Sequence, residues 1–432
     1  MSELSPAVMA RVLGAVDDAF EDEVALLQTL VRTPSLRGDE RPVQEIVADE
    51  LARRGYVVDR FGIDRDAFAA HPAFSPATID YADTYNVVGS RQPASNRGRS
   101  LILNAHVDVV PTADPARWTH PPFAAKRDGD WLYGRGAGDM KAGLAANIFA
   151  LDALSAAGLS LTAPVEIQSV IDEEVTGNGA AAALARGHTA DAILVPEPTD
   201  ERLVRANSGV IKFAITVDGV PAHPREPESG VSAIDAAIHL IEHLRRLEAR
   251  WNAERDRHPD FGDIANPASL NIGVLTGGEW LASIPCACRF EGRIGFYPGD
   301  DPRKRAAEFE AFVADAAASD PRLGKAMPRV EWVGVMQTGY RLDEGSAAER
   351  LFRDAYSRAC GGSAEAYVMA CYLDAALFSV HGGMPALVYG PVAENIHGID
   401  ERVSLPSLRR VTKTIALFAA HWCGVEEVAG TS

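Results

Sequence analysis

Short apolar runs alternate with alanine-rich stretches between about Val87 and Val195. The apolar runs are SLILNAHVDVV, PVEIQSVIDEE and DAILVPEPT, and the stretches DMKAGLAANIFALDALSAAG and AAAALARGHTA lie between them. Continuous apolar runs are typical of buried strands, and the longer alanine-rich stretches are typical of helices. The order strand, helix, strand, helix, strand therefore predicts an α/β layer with a largely parallel sheet.

The pattern changes near Gly209. Polar and apolar residues alternate in GVIKFAITVDG, and two further segments, ASLNIGVLTGG and CRFEGRIGFYP, also resemble strands. A helix of about twenty residues is predicted from about Ser229, and another over DPRKRAAEFEAFVADAAASD. Alternation is typical of a sheet with one covered and one open face, so this part is predicted to be a smaller α+β unit.

The α/β character returns from about Gly339, with a predicted strand over PALVYG and a closing helix over SLRRVTKTIALFAAHW. We therefore predict a discontinuous first domain, residues 1–208 and 337–432, with a second domain, residues 209–336, inserted in it.

Polar residues follow each predicted strand of the first domain. In an open α/β sheet, ligands bind at the carboxyl ends of the strands. The polar residues at these ends are His106 and Asp108, then Asp172, Glu173 and Glu174, then Glu197, and then His397 in a later loop. We treat them as one set of candidate site residues.

A further candidate, Asp139, lies among glycines in GRGAGDMKAG at the predicted start of a helix. Glycine-rich loops before a helix often bind phosphate, but this one continues Gly-Asp-Met-Lys and so places a carboxylate where a phosphate would approach. The glycines more readily allow a sharp turn that points Asp139 towards the strand ends.

Each candidate has an ordinary interpretation when it is taken alone. A loop histidine is most often solvated, an Asp before a helix is most often a cap, and paired glutamates are most often surface charge. Together, two histidines and several carboxylates at one edge form a set that zinc, cobalt or manganese would bind. Without a cation the carboxylates would repel one another and raise each other's pKa.

Composition limits the partners and the location. The chain has 60 acidic and 42 basic residues, a net charge of −18, which argues against nucleic acid or an anionic membrane as the main partner. No apolar run approaches the ~20 residues that span a bilayer, and the first residues lack the features of a secretory signal, so we expect a cytoplasmic location. The five cysteines form no CxxC pair, and we predict neither a disulfide framework nor a cysteine zinc site.

Six motifs carry a family resemblance. LNAHVDVVP, GRGAGDMKAG, DEEVTGNG, PEPT, GVPAHP and NIHGIDE occur in this order between about residues 100 and 405. The series resembles that of the M20 metallopeptidases and deacylases, and most of all the acetylornithine deacetylase and succinyl-diaminopimelate desuccinylase types. The resemblance implies a zinc-dependent exopeptidase-like α/β domain, an inserted lid and dimerisation domain, and two divalent metal ions, most often zinc.

The resemblance also implies roles for single residues. Asp139 would bridge the two metals, with His106 and Glu197 completing one site and Glu174 and His397 the other. Asp108 would lie behind His106 and fix the imidazole tautomer. Glu173 would be the general base for a metal-bridging hydroxide.

Two residues of the inserted domain also match family positions. His223 would reach the active site of the partner subunit in a homodimer and stabilise the oxyanion there. Arg293 would hold a carboxylate of the substrate.

Three positions depart from the family pattern: Ala282 stands in place of a frequent Asn, Ala376 in place of an Arg, and Val392 in place of a Gly. All three lie in parts that hold the substrate. We therefore expect a metal-dependent amidohydrolase that removes a small N-acyl or N-formyl group from an amino acid or amine. The alternatives are a metallo-dipeptidase or carboxypeptidase with the same centre, and a non-catalytic metal-binding homologue; Glu173, which would bind no metal, argues against the last.

Overall fold

The computed structural model describes residues 4–93, 95–323 and 325–428. The helices in these ranges are α1 (Pro6–Arg32), α2 (Arg41–Arg53), α3 (Arg65–Phe68), α4 (Ala142–Ala156), α5 (Asn178–Ala185), α6 (Ala233–Asn252), α7 (Pro302–Ser319), α8 (Ala347–Cys360), α9 (Ala375–Val380) and α10 (Leu405–Cys423). None of these helices is both long enough and apolar enough to cross a membrane.

The strands in the same ranges are β1 (Val57–Phe61), β2 (Asn86–Arg91), β3 (Leu101–His106), β4 (Lys126–Asp128), β5 (Trp131–Tyr133), β6 (Leu159–Leu161), β7 (Val165–Val170), β8 (Ile193–Val195), β9 (Leu203–Asn207), β10 (Gly209–Asp218), β11 (Leu270–Gly277), β12 (Ala287–Phe296), β13 (Met327–Gln337), β14 (Ala366–Met369), β15 (Ala386–Val388), β16 (Ala393–Glu394), β17 (Arg402–Ser404) and β18 (Val425–Glu427).

A six-stranded sheet with the order β1-β2-β7-β3-β8-β15 forms the centre of the molecule. The four strands β7, β3, β8 and β15 are parallel, whereas β1 and β2 are antiparallel to their neighbours. Every residue of β3 is buried, as its continuous apolar pattern predicts. Helices α4 and α10 pack against β3, α5 against β7, and α9 against β8 and β15. The predicted α/β fold with a mixed, largely parallel sheet is confirmed.

A second, four-stranded antiparallel sheet has the order β11-β12-β10-β13. Helices α6 and α7 pack on it, and their buried side chains form a hydrophobic core of their own with Phe213, Phe290 and Phe309. Alternate residues such as Lys212 point to the other face, as the alternation in β10 predicts. The boundaries at 208/209 and 336/337 remain a prediction, which this separate core supports.

Strand β13 is the element of the second sheet that the pattern analysis did not predict. It pairs with β10 along one edge, and Pro328 stands next to its first residue. Proline lacks the backbone N–H that a central strand would need, so it lowers the strand signal in sequence. It is tolerated in an edge strand, where one side of the strand has no neighbour to bond with. Three smaller sheets, β16-β17-β5-β4, β14-β9 and β18-β6, were likewise not predicted, because their strands are short.

Candidate metal centre

The four parallel strands of the central sheet place the candidate residues at one edge of that sheet. β3 ends at His106, residues 172–174 follow β7, Glu197 follows β8, and His397 lies in the loop after β15. Because parallel strands end at the same edge, these residues meet although up to about 290 positions separate them in the chain. The predicted set is thus assembled by the topology of the sheet.

Asp139 reaches this edge because α4 begins unusually close to the segment that carries Glu197. A Cβ atom built on Gly143, in the first turn of α4, would lie 2.4 Å from the carbonyl oxygen of Pro196. Any side chain at this position would push the helix and the Pro196 segment apart. Gly143 therefore keeps Asp139 beside Glu197.

The two histidines lie on opposite sides of the Asp139 carboxylate. His106 Nε2 is 3.2 Å from Oδ1 of Asp139, and His397 Nε2 is 3.2 Å from Oδ2. Glu197 Oε1 lies 3.9 Å from His106 Nε2, and Glu174 lies 3.1 Å from His397 Nε2. Potential donor atoms of His106, Asp139 and Glu174 all lie within 4.8 Å of one another. Asp139 thus lies between two groups of potential ligands, which is the arrangement that a bridging carboxylate requires.

The chemistry of these donors fits divalent cations. His106 Nδ1 lies 3.0 Å from the carbonyl oxygen of Asp108 and donates to it, so Nε2 is the ring nitrogen that faces the carboxylates and is available to a metal ion. Hydrogen bonds to Asp139 and Glu174 raise the pKa of His397 to about 10. The site therefore stabilises positive charge strongly, and zinc or another divalent ion bound by nitrogen and carboxylate ligands would satisfy it.

Asp108 holds the loop that carries the two glutamates. Its buried carboxylate accepts hydrogen bonds from the backbone N–H groups of Glu173 and Glu174, both at 3.1 Å. Its Oδ1 is 3.5 Å from His106 Nδ1, farther than the carbonyl oxygen of the same residue. The orientation of the imidazole therefore depends mainly on the backbone of Asp108, and its carboxylate mainly positions the glutamate loop.

A cavity of about 560 Å³ opens onto the cluster. Glu173, Glu174 and Glu197 line it, together with Lys212, Asn271 and Arg293 of the second sheet. Arg293 pairs with both Lys212 and Asn271 across neighbouring strands, so these three polar side chains form a row. The predicted substrate residue Arg293 thus lines the same cavity as the candidate metal ligands.

Glu173 differs from Glu174 in its surroundings. Glu173 lines the cavity and is 8% exposed, and its carboxylate makes no hydrogen bond with the residues that the structure describes. Burial raises the pKa of this carboxyl well above its usual range. Sequence could not decide which of the two glutamates faces the histidines, and the structure places Glu174 against His397.

His223 does not reach the cavity of its own chain. It lies exposed in the loop after β10, where its Nδ1 accepts a hydrogen bond of 3.0 Å from the N–H of Arg225. The same loop is joined to residues 280–284 by a hydrogen bond from the N–H of Ile284 to the carbonyl oxygen of Ala222, 2.9 Å long. His223 is therefore accessible to solvent in this chain.

Residues 102–421 match the model of peptidase family M20/M25/M40. The chain belongs to this family. As an M20 protein it is a hydrolase that acts on C–N bonds, and the family implies a dinuclear metal site, for which the cluster around Asp139 is the candidate. The resemblance found in the sequence motifs is confirmed.

Two curated relatives and one solved structure are similar to this M20 chain over almost their whole length. N-formyl-4-amino-5-aminomethyl-2-methylpyrimidine deformylase of Halalkalibacterium halodurans is 29% identical, over 96% of this chain and 98% of the relative. Succinyl-diaminopimelate desuccinylase of Dinoroseobacter shibae is 26% identical, over 90% and 95%. The dipeptidase Dug1p of Saccharomyces cerevisiae is 14% identical with a TM-score of 0.79, over 96% of this chain and 98% of that chain, and so is similar in fold.

Several residues near the centre were not predicted from the sequence of this M20 protein. Lys212 is nearly buried in the cavity wall, and its Nζ donates to the carbonyl oxygen of Glu174. Asp172 binds Arg37 at 2.6 Å and also accepts from the hydroxyl of Tyr81. Lys212 had a signal, since it is a charged residue on the open face of an alternating strand. Arg37 and Tyr81 had none, because their contacts with Asp172 join segments far apart in the chain.

None of the three residues that depart from the family pattern is a candidate ligand or lines the cavity. Ala376 is buried in α9, Ala282 is exposed in the loop before β12, and the N–H of Val392 donates to Ser407. Among the described residues, the basic side chains that line the cavity, apart from His397, are those of Lys212 and Arg293.

Proposed function

We propose that this M20 protein is a two-metal deacylase that removes a small N-acyl or N-formyl group from an amine or amino acid. The observation that carries the proposal is the carboxylate of Asp139 shared between His106 and His397, with the unpaired carboxylate of Glu173 beside it. The similarity to a deformylase and a desuccinylase over nearly the whole chain supports amide deacylation.

The proposed ligands are His106 and Glu197 for one ion and Glu174 and His397 for the other, with Asp139 in common. The ions would be zinc, or cobalt or manganese, and when bound they polarise the amide carbonyl and make water a nucleophile at neutral pH. Asp108 holds the backbone of the glutamate loop, so that the two glutamates keep their different orientations.

Glu173 is proposed as the general base and acid. Its oxygen atoms are free of partners among the described residues and face the cavity, so one of them can accept a proton from the attacking water. Glu173 then delivers this proton to the nitrogen of the leaving amine as the C–N bond breaks. A carboxylate that is already paired with a cation could not perform both transfers.

The part of the cavity wall that the second sheet forms is proposed to orient the substrate. Arg293 has no hydrogen bond or ion pair with the described residues, and it lies between Asn271 and Lys212. Its guanidinium can bind a carboxylate through two parallel hydrogen bonds. A substrate with an anionic group would thus be held with its amide towards the ligands.

We further propose a homodimer through the second sheet. β11 pairs with β12 on one side and has no strand on its other side within the described residues. Val274, Leu275, Trp280 and Leu281 are exposed along this edge and the loop beyond it, Leu281 at 92%. An open edge with exposed apolar side chains favours association with another strand, and His223 lies in a loop joined to this region. A partner subunit could therefore receive His223.

Metal analysis and a substrate panel test the proposed function. We expect two divalent ions per chain, hydrolysis of N-formyl, N-acetyl or N-succinyl compounds in preference to dipeptides, and loss of this activity on chelation with recovery when metal is returned. N-formyl amines come first in the panel because the deformylase is the more similar of the two relatives. Activity that survives chelation would refute a metal mechanism, and a clear preference for dipeptides would replace the deacylase by a dipeptidase.

A further inference from the structure

Arg135 and Glu401 form a buried ion pair directly behind the proposed metal ligands. Each is 1% exposed, and Arg135 Nη1 lies 2.5 Å from Glu401 Oε2. Arg135 belongs to the GRGAGDMKAG motif and Glu401 to NIHGIDE, but neither faces the cavity. Because neither residue can contact a substrate in the cavity, the role of the pair must be sought in its contacts with the segments that carry the proposed metal ligands.

The pair connects three segments that each carry a ligand. Arg135 Nη2 donates to the carbonyl oxygen of Pro111, 3.1 Å away, in the segment that follows His106. It also donates to the carbonyl oxygen of Gly398, 2.9 Å away and next to His397 in the chain.

The third segment is held through Glu401. Its Oε1 accepts from the backbone N–H groups of Gly138 and Asp139, at 3.0 and 3.1 Å. Arg135 and Glu401 thus tie the backbones beside His106, Asp139 and His397 to one another. Arginine is suited to this because its planar fork fixes the direction of several donors at once.

The segment around His397 depends most on this support. Asn395, His397 and Asp400 have φ values of 56°, 61° and 60°, a conformation that non-glycine residues rarely adopt. The His397 side chain is 53% exposed, so packing does not hold it. His106, by contrast, ends a fully buried strand of the central sheet. A contact from outside the segment is therefore needed to fix His397 relative to Asp139.

We propose that Arg135 and Glu401 are positioning residues that set the distance between the two halves of the metal centre, and that the His397 half depends on them more than the His106 half. This inference rests on the proposed ligand set. A buried ion pair adds little stability over an apolar pair of the same size, so a geometric role accounts for this one better than a stabilising role.

The test uses Arg135→Lys and Glu401→Gln in the full chain, titrated with Co²⁺ after removal of bound metal. Arg205→Lys is the matched control, because Arg205 also binds a buried carboxylate, that of Glu349, and a backbone carbonyl, that of Leu342, away from the proposed ligands. We expect wild type and control to bind two ions. Each variant should bind the second ion about 10- to 100-fold more weakly, with a changed visible Co²⁺ spectrum, while the first ion is held nearly as before.

Higher Co²⁺ concentration should restore hydrolysis in the variants, which a general loss of folding would not allow. Unchanged affinity for both ions and an unchanged spectrum in both variants would overturn the inference, and so would equal weakening of the two ions. If Arg135→Lys fails to fold, Glu401→Gln alone tests the inference. The amide oxygen of this variant can still accept a hydrogen bond from the N–H of Asp139. A wild type that binds fewer than two ions would instead refute the proposed function.

Discussion

Replacing Glu23 by Gln should stabilise the protein, and increasingly so as the pH rises. Glu23 is buried in α1, where the hydroxyl of Thr412 lies 2.6 Å from Oε1, and Oε2 has no hydrogen-bond partner among the described residues. Burial raises the pKa of Glu23 from 4.5 to about 8, although Thr412 and Arg409 partly oppose the shift. Below pH 4.5 both the folded and the unfolded chain are protonated at Glu23, so the group costs no stability there.

Between these two pKa values the unfolded chain releases the proton and the folded chain keeps it. Stability therefore falls by about 1.4 kcal/mol for each pH unit, until the folded pKa is passed. At pH 7 the cost to the wild type is about 3 kcal/mol, which Gln removes because it is neutral and of the same shape. For a chain of this length that corresponds to a rise in Tm of about 3 °C.

Calorimetric unfolding of Glu23→Gln and wild type at about pH 5 and about pH 9, under equal metal saturation, measures this difference. Glu21→Gln is the control, since Glu21 lies exposed on the same helix and is paired with Arg127. We expect nearly equal Tm values for Glu23→Gln and wild type at the lower pH and a higher Tm for the variant at the upper pH. A difference that does not change with pH would show that Glu23 is not held neutral by burial.

Three further predictions concern the proposed chemistry and assembly. Glu173→Gln should keep both ions but lose about 10²- to 10⁴-fold in kcat, and near-normal turnover would rule Glu173 out as the base. His223→Ala should lose about 10²-fold or more in kcat. Mixing this variant with Glu173→Gln should restore activity, because a mixed dimer contains one intact site. A confirmed mixed dimer that shows no recovery would contradict action across subunits. Leu275→Glu on the open edge of β11 should give a monomer in sedimentation experiments, whereas Met327→Glu, exposed on β13, should leave the dimer intact.

Much of the fold follows from local patterns. The buried run of β3, the alternation of β10 and the helical stretch of α10 lie close to where their patterns predict them. β13 was missed because Pro328 weakens the signal of an edge strand. The short strands β16 and β17 were missed because two or three residues carry too little periodicity, although they lie on either side of the His397 loop.

The sequence by itself determined the types of residue at the strand ends and hence the kind of site. His106, Glu174, Glu197 and His397 follow predicted strands, and a parallel sheet brings the ends of its strands to one edge, whereas Asp139 was found in the glycine-rich turn before a predicted helix. The motifs that contain them also identify the family, which the match over residues 102–421 confirms.

Only the tertiary structure decided how these residues are oriented and held. Adjacent residues in a loop can face opposite ways, and only the structure shows that Glu174 contacts His397 whereas the Glu173 carboxylate contacts no described partner, while Asp108 holds the backbone of both. Arg135 donates hydrogen bonds to the carbonyl oxygens of Pro111 and Gly398, and the second of these bonds joins residues more than 260 positions apart in the chain. Such contacts leave no periodic pattern, because they are set by the packing of the whole chain.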